Sequence, residues 1–167
     1  MKATLLAATL LLAFLGCTSP ETHELSPQDK NRIINEVKAV ADTIWVKWEQ
    51  LDPEAALHYY SESSDWLSIN SQGSPYNLLT YRRLASEFKR SATAYKWITD
   101  RRDFNVLSTD IVLCNWIGKD EATWKSGDKV TCNPHAYSLI FKKISGHWKL
   151  VHSHDSGVWA TQKARKQ

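Results

Sequence analysis

The stretch YSLIFKKISGHWKLVHSHDSG, residues 137–157, decides the fold, because it holds two alternating apolar segments joined by a short polar turn. Ser145-Gly146 is typical of a two-residue hairpin turn and predicts that Ile144 pairs with His147. Counting outward from the turn gives the next predicted cross-strand pairs: Phe141 with Leu150, Leu139 with His152, and Tyr137 with His154. The chain is therefore predicted to end in a long antiparallel hairpin.

One face of this hairpin is predicted to be apolar and aromatic. It carries the side chains that alternate inward in the predicted register: Tyr137, Leu139, Phe141, Trp148, Leu150, His152 and His154. Because the two histidines continue this face beyond its hydrophobic part, the sequence predicts that they lie at the rim of an internal pocket.

The residues before the hairpin change from a helical period to a strand period. Ser26-Pro27 and Asp52-Pro53 are helix start signals, and a third amphipathic pattern follows at 78–88. From about Tyr95 the apolar residues alternate, which predicts strands at 95–107, 110–124, 130–144 and 147–155. This order predicts an α+β domain in which one strongly curved antiparallel sheet wraps three N-terminal helices.

The order of these segments resembles that of the nuclear transport factor 2-like superfamily, in particular its SnoaL-like members. The resemblance rests on the long helix, on LDPEAALHYYSES (51–63) and on the terminal hairpin, and it covers about residues 27–157. It implies a cone-shaped fold with a pocket between helices and sheet, and a homodimer formed through the outer sheet face. It implies no single function, because the superfamily includes cyclases, isomerases, dehydratases, scaffolds and pure binders.

The N-terminal residues predict export and a lipid anchor. Residues 1–16 hold one lysine and a single apolar run, which is typical of a signal peptide. The segment FLGC, ending at Cys17, resembles a bacterial lipobox, which implies cleavage before Cys17, lipidation of that cysteine and a tether at 17–26. The expected location is the cell envelope, facing the periplasm; simple secretion with an incidental Cys17 is the alternative. Residues 158–167 are expected to form a flexible tail.

Charge and cysteine content limit the partners. The formal net charge is +3 without a concentrated basic face, so no nucleic-acid partner is expected. Cys114 and Cys132 lie far apart along the predicted ladder, which predicts two free thiols rather than a disulfide.

The aromatic content favours a binding function. Eight tryptophans and six tyrosines exceed what a small core requires, and rigid aromatic side chains commonly hold apolar or ring-shaped ligands. The predicted ligand is a small, partly apolar molecule, with no cofactor, and an inward arginine of the pair Arg101 and Arg102 would favour an anionic group. The predicted ligand-binding residues are Tyr60, Tyr81, Trp97, Arg102, His135, Tyr137, His152 and His154. Trp97, together with Trp116 and Trp124, is also a candidate for an outer face that a dimer would bury.

Four other functions stay open or are disfavoured. An acid-base enzyme would use His154 and His152, since a pocket histidine titrates near neutral pH. For a steroid isomerase the resemblance implies a carboxylate base near residues 69–71, and this function is disfavoured because those residues lack a carboxylate. The spacing of His152 and His154 suits metal chelation, with His135 as a third ligand, but pocket lining is the favoured interpretation, so no metal is predicted. An oligomeric scaffold without a ligand is the last alternative.

Overall fold

The computed structural model describes residues 24–164, so the predicted signal peptide, Cys17 and most of the tether lie outside the described residues. The described part contains three helices followed and interleaved by six strands. In chain order these are α1 (Pro27–Glu49), α2 (Pro53–Leu57), β1 (Leu67–Ile69), β2 (Pro75–Asn77), α3 (Leu78–Ser91), β3 (Ala92–Val106), β4 (Ile111–Trp124), β5 (Lys129–Ile144) and β6 (His147–Gln162).

The strands form one sheet in the order β2-β1-β6-β5-β4-β3. Strands β3 to β6 form the predicted antiparallel meander. The sequence did not indicate β2, nor that β1 pairs parallel with β6, so the sheet is mixed rather than purely antiparallel. Parallel strands need a long connection, and α3 with the meander provides it.

The sheet curves around α1, as predicted. Register shifts interrupt the long ladders near residues 99–101, 118–120, 132–135 and 140–141. Each shift inserts an extra residue, which bends the strand and increases its twist. The concave face packs on the apolar stripe of α1, whose buried residues are Ile33, Val37, Ala41 and Ile44. The α+β architecture expected from the sequence is therefore confirmed.

Both long helices begin at polar caps. Ser26 Oγ accepts a hydrogen bond from the backbone N–H of Asp29, and Pro27 occupies the first turn of α1. Asn77 caps α3 by accepting from the N–H of Thr80. These local signals explain why the predicted helix starts agree with the structure.

Among the described helices, none combines the length and the apolar composition that a membrane span requires.

The terminal hairpin begins as predicted and then shifts by one residue. Ser145 and Gly146 both have positive φ, as a tight two-residue hairpin turn requires, and Phe141 pairs with Leu150. The next pair is Ile140 with His152, so Val151 is an extra residue on β6. Because side chains alternate along a strand, this bulge moves each later side chain of β6 to the face of the sheet opposite to the predicted one.

The predicted inward orientation of His152 and His154 is therefore wrong. Ser153 takes the inner face, where its Oγ donates to Ser68 Oγ of β1 at 2.7 Å. His152 and His154 flank Ser153 and point to the outer face, beside Leu67 and Ile69 of β1. His154 is exposed and His152 is half-buried.

Strand β6 also extends farther than predicted. Residues 158–162, assigned to the tail, pair with the start of β5 as far as Gln162 opposite Lys129. Cys114 and Cys132 are both buried and free, which confirms the two predicted thiols.

Candidate functional site

A buried histidine between two carboxylates forms the polar wall of the cone. His135 Nδ1 lies 3.0 Å from Asp120 Oδ2, and His135 Nε2 lies 3.3 Å from Asp155 Oδ2. The side chain of His135 is 1% exposed, that of Asp120 6% and that of Asp155 16%. Asp155 is therefore the member of this cluster that a ligand or water reaches most easily.

The three residues meet because they lie on three neighbouring strands of the sheet. Asp120 follows the register shift in β4, His135 follows the shift in β5, and Asp155 faces inward because of the bulge at Val151. Asp155 Oδ2 also accepts from the backbone N–H of Ser71 at 3.1 Å, which ties the cluster to the turn after β1.

The two carboxylates hold His135 in its charged form. Burial alone lowers the pKa of His135, but the hydrogen bonds to Asp120 and Asp155 outweigh burial and raise the pKa to about 9. At neutral pH the ring is an imidazolium that donates one N–H to each carboxylate. This histidine is therefore a proton donor and not a general base.

Aromatic rings enclose the imidazole. The ring of Tyr137 lies 4.4 Å from that of His135, and the rings of Trp159 and Trp97 lie at 5.3 and 5.6 Å. Tyr95 donates its hydroxyl to Asp120 Oδ2 at 3.2 Å, and burial raises the pKa of this phenol. The cluster therefore sits in an environment of low polarity.

Gly157 makes room for the cluster on β6. A Cβ at this position would overlap with Cys132 Sγ and lie 3.1 Å from His135 Cδ2. Replacing Gly157 with alanine should therefore displace both buried side chains and lower the free energy of unfolding by about 1–3 kcal/mol. Urea unfolding at pH 7 measures this, with exposed Ser156→Ala as the neighbouring control. Equal stability of the two variants would contradict the tight packing.

An interior cavity adjoins this wall. It lies between α1, α3 and the meander, and its volume is only about 10 Å³. Its lining is mostly aromatic or aliphatic: Ala41, Ile44, Trp45, Tyr60, Tyr81, Tyr137, Leu139, Phe141, Leu150 and Ser153. A space of this size holds about one water molecule, so a larger ligand requires side chains to move.

The structure brings together four of the predicted ligand-binding residues. Tyr60, Tyr81 and Tyr137 line the cavity, and His135 packs against Tyr137. His152 and His154 lie on the opposite face of the sheet, so they cannot serve as pocket lining or as catalytic groups inside the cone. The chelate of His152, His154 and His135 is excluded for the same reason.

Trp97 and Arg102 face inward, but each already interacts with other side chains of the protein. Trp97 is 7% exposed, stacks on Trp45 at 5.2 Å and donates to Thr99 Oγ1. Arg102 pairs with Asp42 and lies 4.3 Å from the centre of the Trp116 ring. The expected anion site at Arg102 is therefore not supported.

The outer-face placement expected for three tryptophans is also corrected. Trp97 and Trp116 belong to the core, and Trp124 is half-buried with its ring 5.8 Å from Phe88. The sheet curvature turns these positions toward α1 and α3.

Sequence reasoning missed Asp120 and Ser153, and it did not include Asp155 among the residues of the inner face. A signal for Asp120 existed, because it continues the inward positions of β4 that carry Val112, Cys114 and Trp116. The inward positions of Ser153 and Asp155 depend on the bulge at Val151, which no local sequence pattern indicates.

One group within residues 24–164 has the composition of a metal site. Asp120, Cys132 and His135 each offer one ligand atom, and these atoms lie within 4.8 Å of one another. Both ring nitrogens of His135 already donate to carboxylates, and burial raises the pKa of the Cys132 thiol to about 12. The protonated cluster is thus complete in its hydrogen bonding without an ion.

Comparison with known proteins places the fold. No family model matches the chain, and no curated protein matches its sequence. Three solved structures illustrate the structural similarity. A putative scytalone dehydratase from Novosphingobium aromaticivorans has a TM-score of 0.70 at 9% identity, covering 84% of this chain and 93% of that chain.

The second is a type 2 hexachlorocyclohexane dehydrochlorinase, with a TM-score of 0.69 at 9% identity, covering 84% of this chain and 95% of that chain. The third is a nuclear transport factor 2-like superfamily protein from Salmonella enterica serovar Typhimurium, with a TM-score of 0.65 at 16% identity, covering 76% of this chain and 92% of that chain. The protein is thus an α+β cone-fold protein with an interior cavity. Its fold is the nuclear transport factor 2-like fold expected from the sequence.

Proposed function

We propose that this protein is a lipid-anchored envelope protein whose cone pocket binds a small, partly apolar molecule. The observation that carries the proposal is the aromatic lining of the interior cavity, with the Ser153–Ser68 pair on one side and the Asp120–His135–Asp155 cluster nearby. A ligand larger than water would enter by displacing side chains of this lining. A mainly apolar space with a few convergent polar groups is the usual form of a small-molecule site.

A fragment screen against the mature chain tests the proposal. Ligand-observed NMR with small aromatic fragments should detect binding to the native protein. Ala41→Ile fills the cavity from α1 and should abolish that binding. The matched control is Ala39→Ile on the exposed face of the same helix. Binding that survives Ala41→Ile, or no binding to the native chain, would contradict a cone-pocket ligand.

Acid-base catalysis is the second candidate function. The charges of the Asp120–His135–Asp155 cluster decide which residue would donate a proton and which would accept one. The proton donor would be the His135 imidazolium, and the base would be the Asp155 carboxylate, which is the most exposed of the three groups. Exchange of a ligand proton in deuterated water, followed by NMR, should occur with the native protein and disappear in Asp155→Asn. Exchange that persists in this variant would rule out Asp155 as the base.

The proposed location in the cell envelope rests on the proposed lipid anchor at Cys17. A lipobox cysteine receives acyl chains that hold a protein on a bilayer, whereas the described helices offer no span. Cys17→Ala should therefore move the protein from the membrane fraction to the soluble fraction of the producing cell. Immunoblotting of the two fractions measures this, and Ser19→Ala in the tether is the control. Retention of Cys17→Ala in the membrane fraction would refute the anchor.

A homodimer through the outer sheet face is proposed from the resemblance. Ile117 of β4 is 37% exposed on that face, and its cross-strand neighbour is Ala136. Ile117→Glu should convert a dimer into a monomer, because the carboxylate would be buried in the contact. Sedimentation velocity of the native and variant chains measures the change, with Ile144→Glu at the β5–β6 turn as the control. A monomeric native chain would refute the dimer.

A further inference from the structure

Two buried indole N–H groups lack a hydrogen-bond partner among the described residues. They are Trp48 Nε1 and Trp66 Nε1, and Trp66 is 2% exposed. A buried tryptophan N–H usually finds an acceptor, because leaving a buried donor unpaired is costly. Three other buried tryptophans follow this rule: Trp97 and Trp116 donate to Thr99, and Trp148 donates to Glu36.

Both unpaired indoles pack on Tyr81. The ring centres of Trp66 and Tyr81 are 5.1 Å apart, and those of Trp48 and Tyr81 are 6.2 Å apart. Tyr81 lines the interior cavity, and it also lines a surface groove of about 450 Å³ between α1, α3 and the end of β4. The groove wall includes Trp48, Leu84, Phe88 and Trp124. Tyr81 is thus the side chain shared by the two spaces.

We propose that the groove and the cavity are one ligand site divided by Tyr81, and that its ligand is a neutral aromatic molecule with a hydrogen-bond-accepting oxygen, which the indole N–H groups of Trp48 and Trp66 bind. This inference rests on the proposed ligand-binding function. The aromatic walls select a ring, and the two donors select a carbonyl or ether oxygen placed beside Tyr81.

The charges around the cone argue against an anionic ligand. The cluster pairs two carboxylates, Asp120 and Asp155, with a single imidazolium, His135, so its net charge is negative. Arg102 is the inward-facing arginine, and it is paired with Asp42. A carboxylate placed near this wall would meet net negative charge in an environment of low polarity, whereas a neutral ketone would not.

Three probes of similar size test this chemistry: acetophenone, ethylbenzene and benzoate. Calorimetry with the full mature chain should show acetophenone binding about tenfold more tightly than ethylbenzene, which corresponds to one additional hydrogen bond. Benzoate should bind more weakly than acetophenone. Tyr81→Ala removes the dividing ring, so it should increase the affinity for both neutral probes while preserving their ratio.

Tryptophan variants locate the donors. Trp66→Phe and Trp48→Phe each should reduce the preference for acetophenone over ethylbenzene. Trp148→Phe should retain it, because that indole already donates to Glu36 at 2.8 Å. Equal affinities for the two neutral probes in the native protein, a preference for benzoate, or a preference unchanged in both Trp66→Phe and Trp48→Phe would overturn the proposal.

The proposed ligand class and the proposed cone-pocket function can fail separately. If other fragments bind in a manner that Ala41→Ile abolishes but acetophenone does not bind, the ligand class is wrong and the cone pocket stands. If no fragment binds at all, the proposed function fails as well.

Discussion

Asp120→Ala is expected to lower the free energy of unfolding at pH 7 by about 3 kcal/mol, a large loss for a domain of this size. The substitution leaves the 1% exposed His135 with one carboxylate and removes the acceptor of the Tyr95 hydroxyl. A buried charge that loses its partner keeps its desolvation cost, which is why removing one member of such a pair costs more than the pair contributes. Urea unfolding followed by tryptophan fluorescence measures the loss.

Asp65→Ala is the control, because Asp65 is exposed on the segment before β1. Its effect should stay within about 0.5 kcal/mol. Asp120→Asn keeps the shape of the side chain and removes its charge, so NMR of the imidazole nitrogens should show a lower pKa for His135 in this variant. A loss below about 1 kcal/mol in Asp120→Ala would mean that the buried ion pair is not formed in solution.

The second large effect is on the pH dependence of stability. The pKa of His135 is raised from 6.5 to about 9 on folding, so the folded state holds the proton more tightly than the unfolded state does. The resulting stabilisation is fully present below pH 6.5 and is lost as the pH rises through about 9. A shift of this size corresponds to roughly 3 kcal/mol, since each pKa unit is worth about 1.4 kcal/mol.

The measurement is a series of urea unfolding curves between pH 6 and pH 9.5. The native chain should lose stability across this range, and His135→Gln should show a much flatter profile. The difference between the two profiles isolates His135 from the other groups that titrate. Parallel profiles would mean that His135 is neutral in the folded protein, and the proton donor of the acid-base candidate would then be absent.

The site was only partly predictable from sequence because it depends on contacts between distant strands. His135 and Tyr137 lie on alternating inward positions of β5, and Tyr81 lies on the apolar stripe of α3, so the strand and helix periods sufficed to find these three. One arginine of the pair Arg101 and Arg102 was expected to face inward, and it is Arg102, but its partner Asp42 lies 60 positions away on α1. No local sequence pattern indicates a pair between residues so far apart in the chain. An unpaired inward arginine was therefore expected, and with it an anion site.

The sequence by itself determined the three helices, the antiparallel meander and the α+β class of the fold. The caps at Ser26 and Asn77, the turn at Ser145-Gly146 and the change of hydrophobic period are local, and local hydrogen bonding and chain geometry suffice to produce them. The tertiary structure decided which residues form the site. The bulge at Val151 places Ser153 against Ser68 of β1 and Asp155 against His135 of β5, and it turns His152 and His154 outward. The position of one extra residue in a ladder depends on which register gives β6 the best contacts with both neighbouring strands, and those contacts exist only once the sheet has formed.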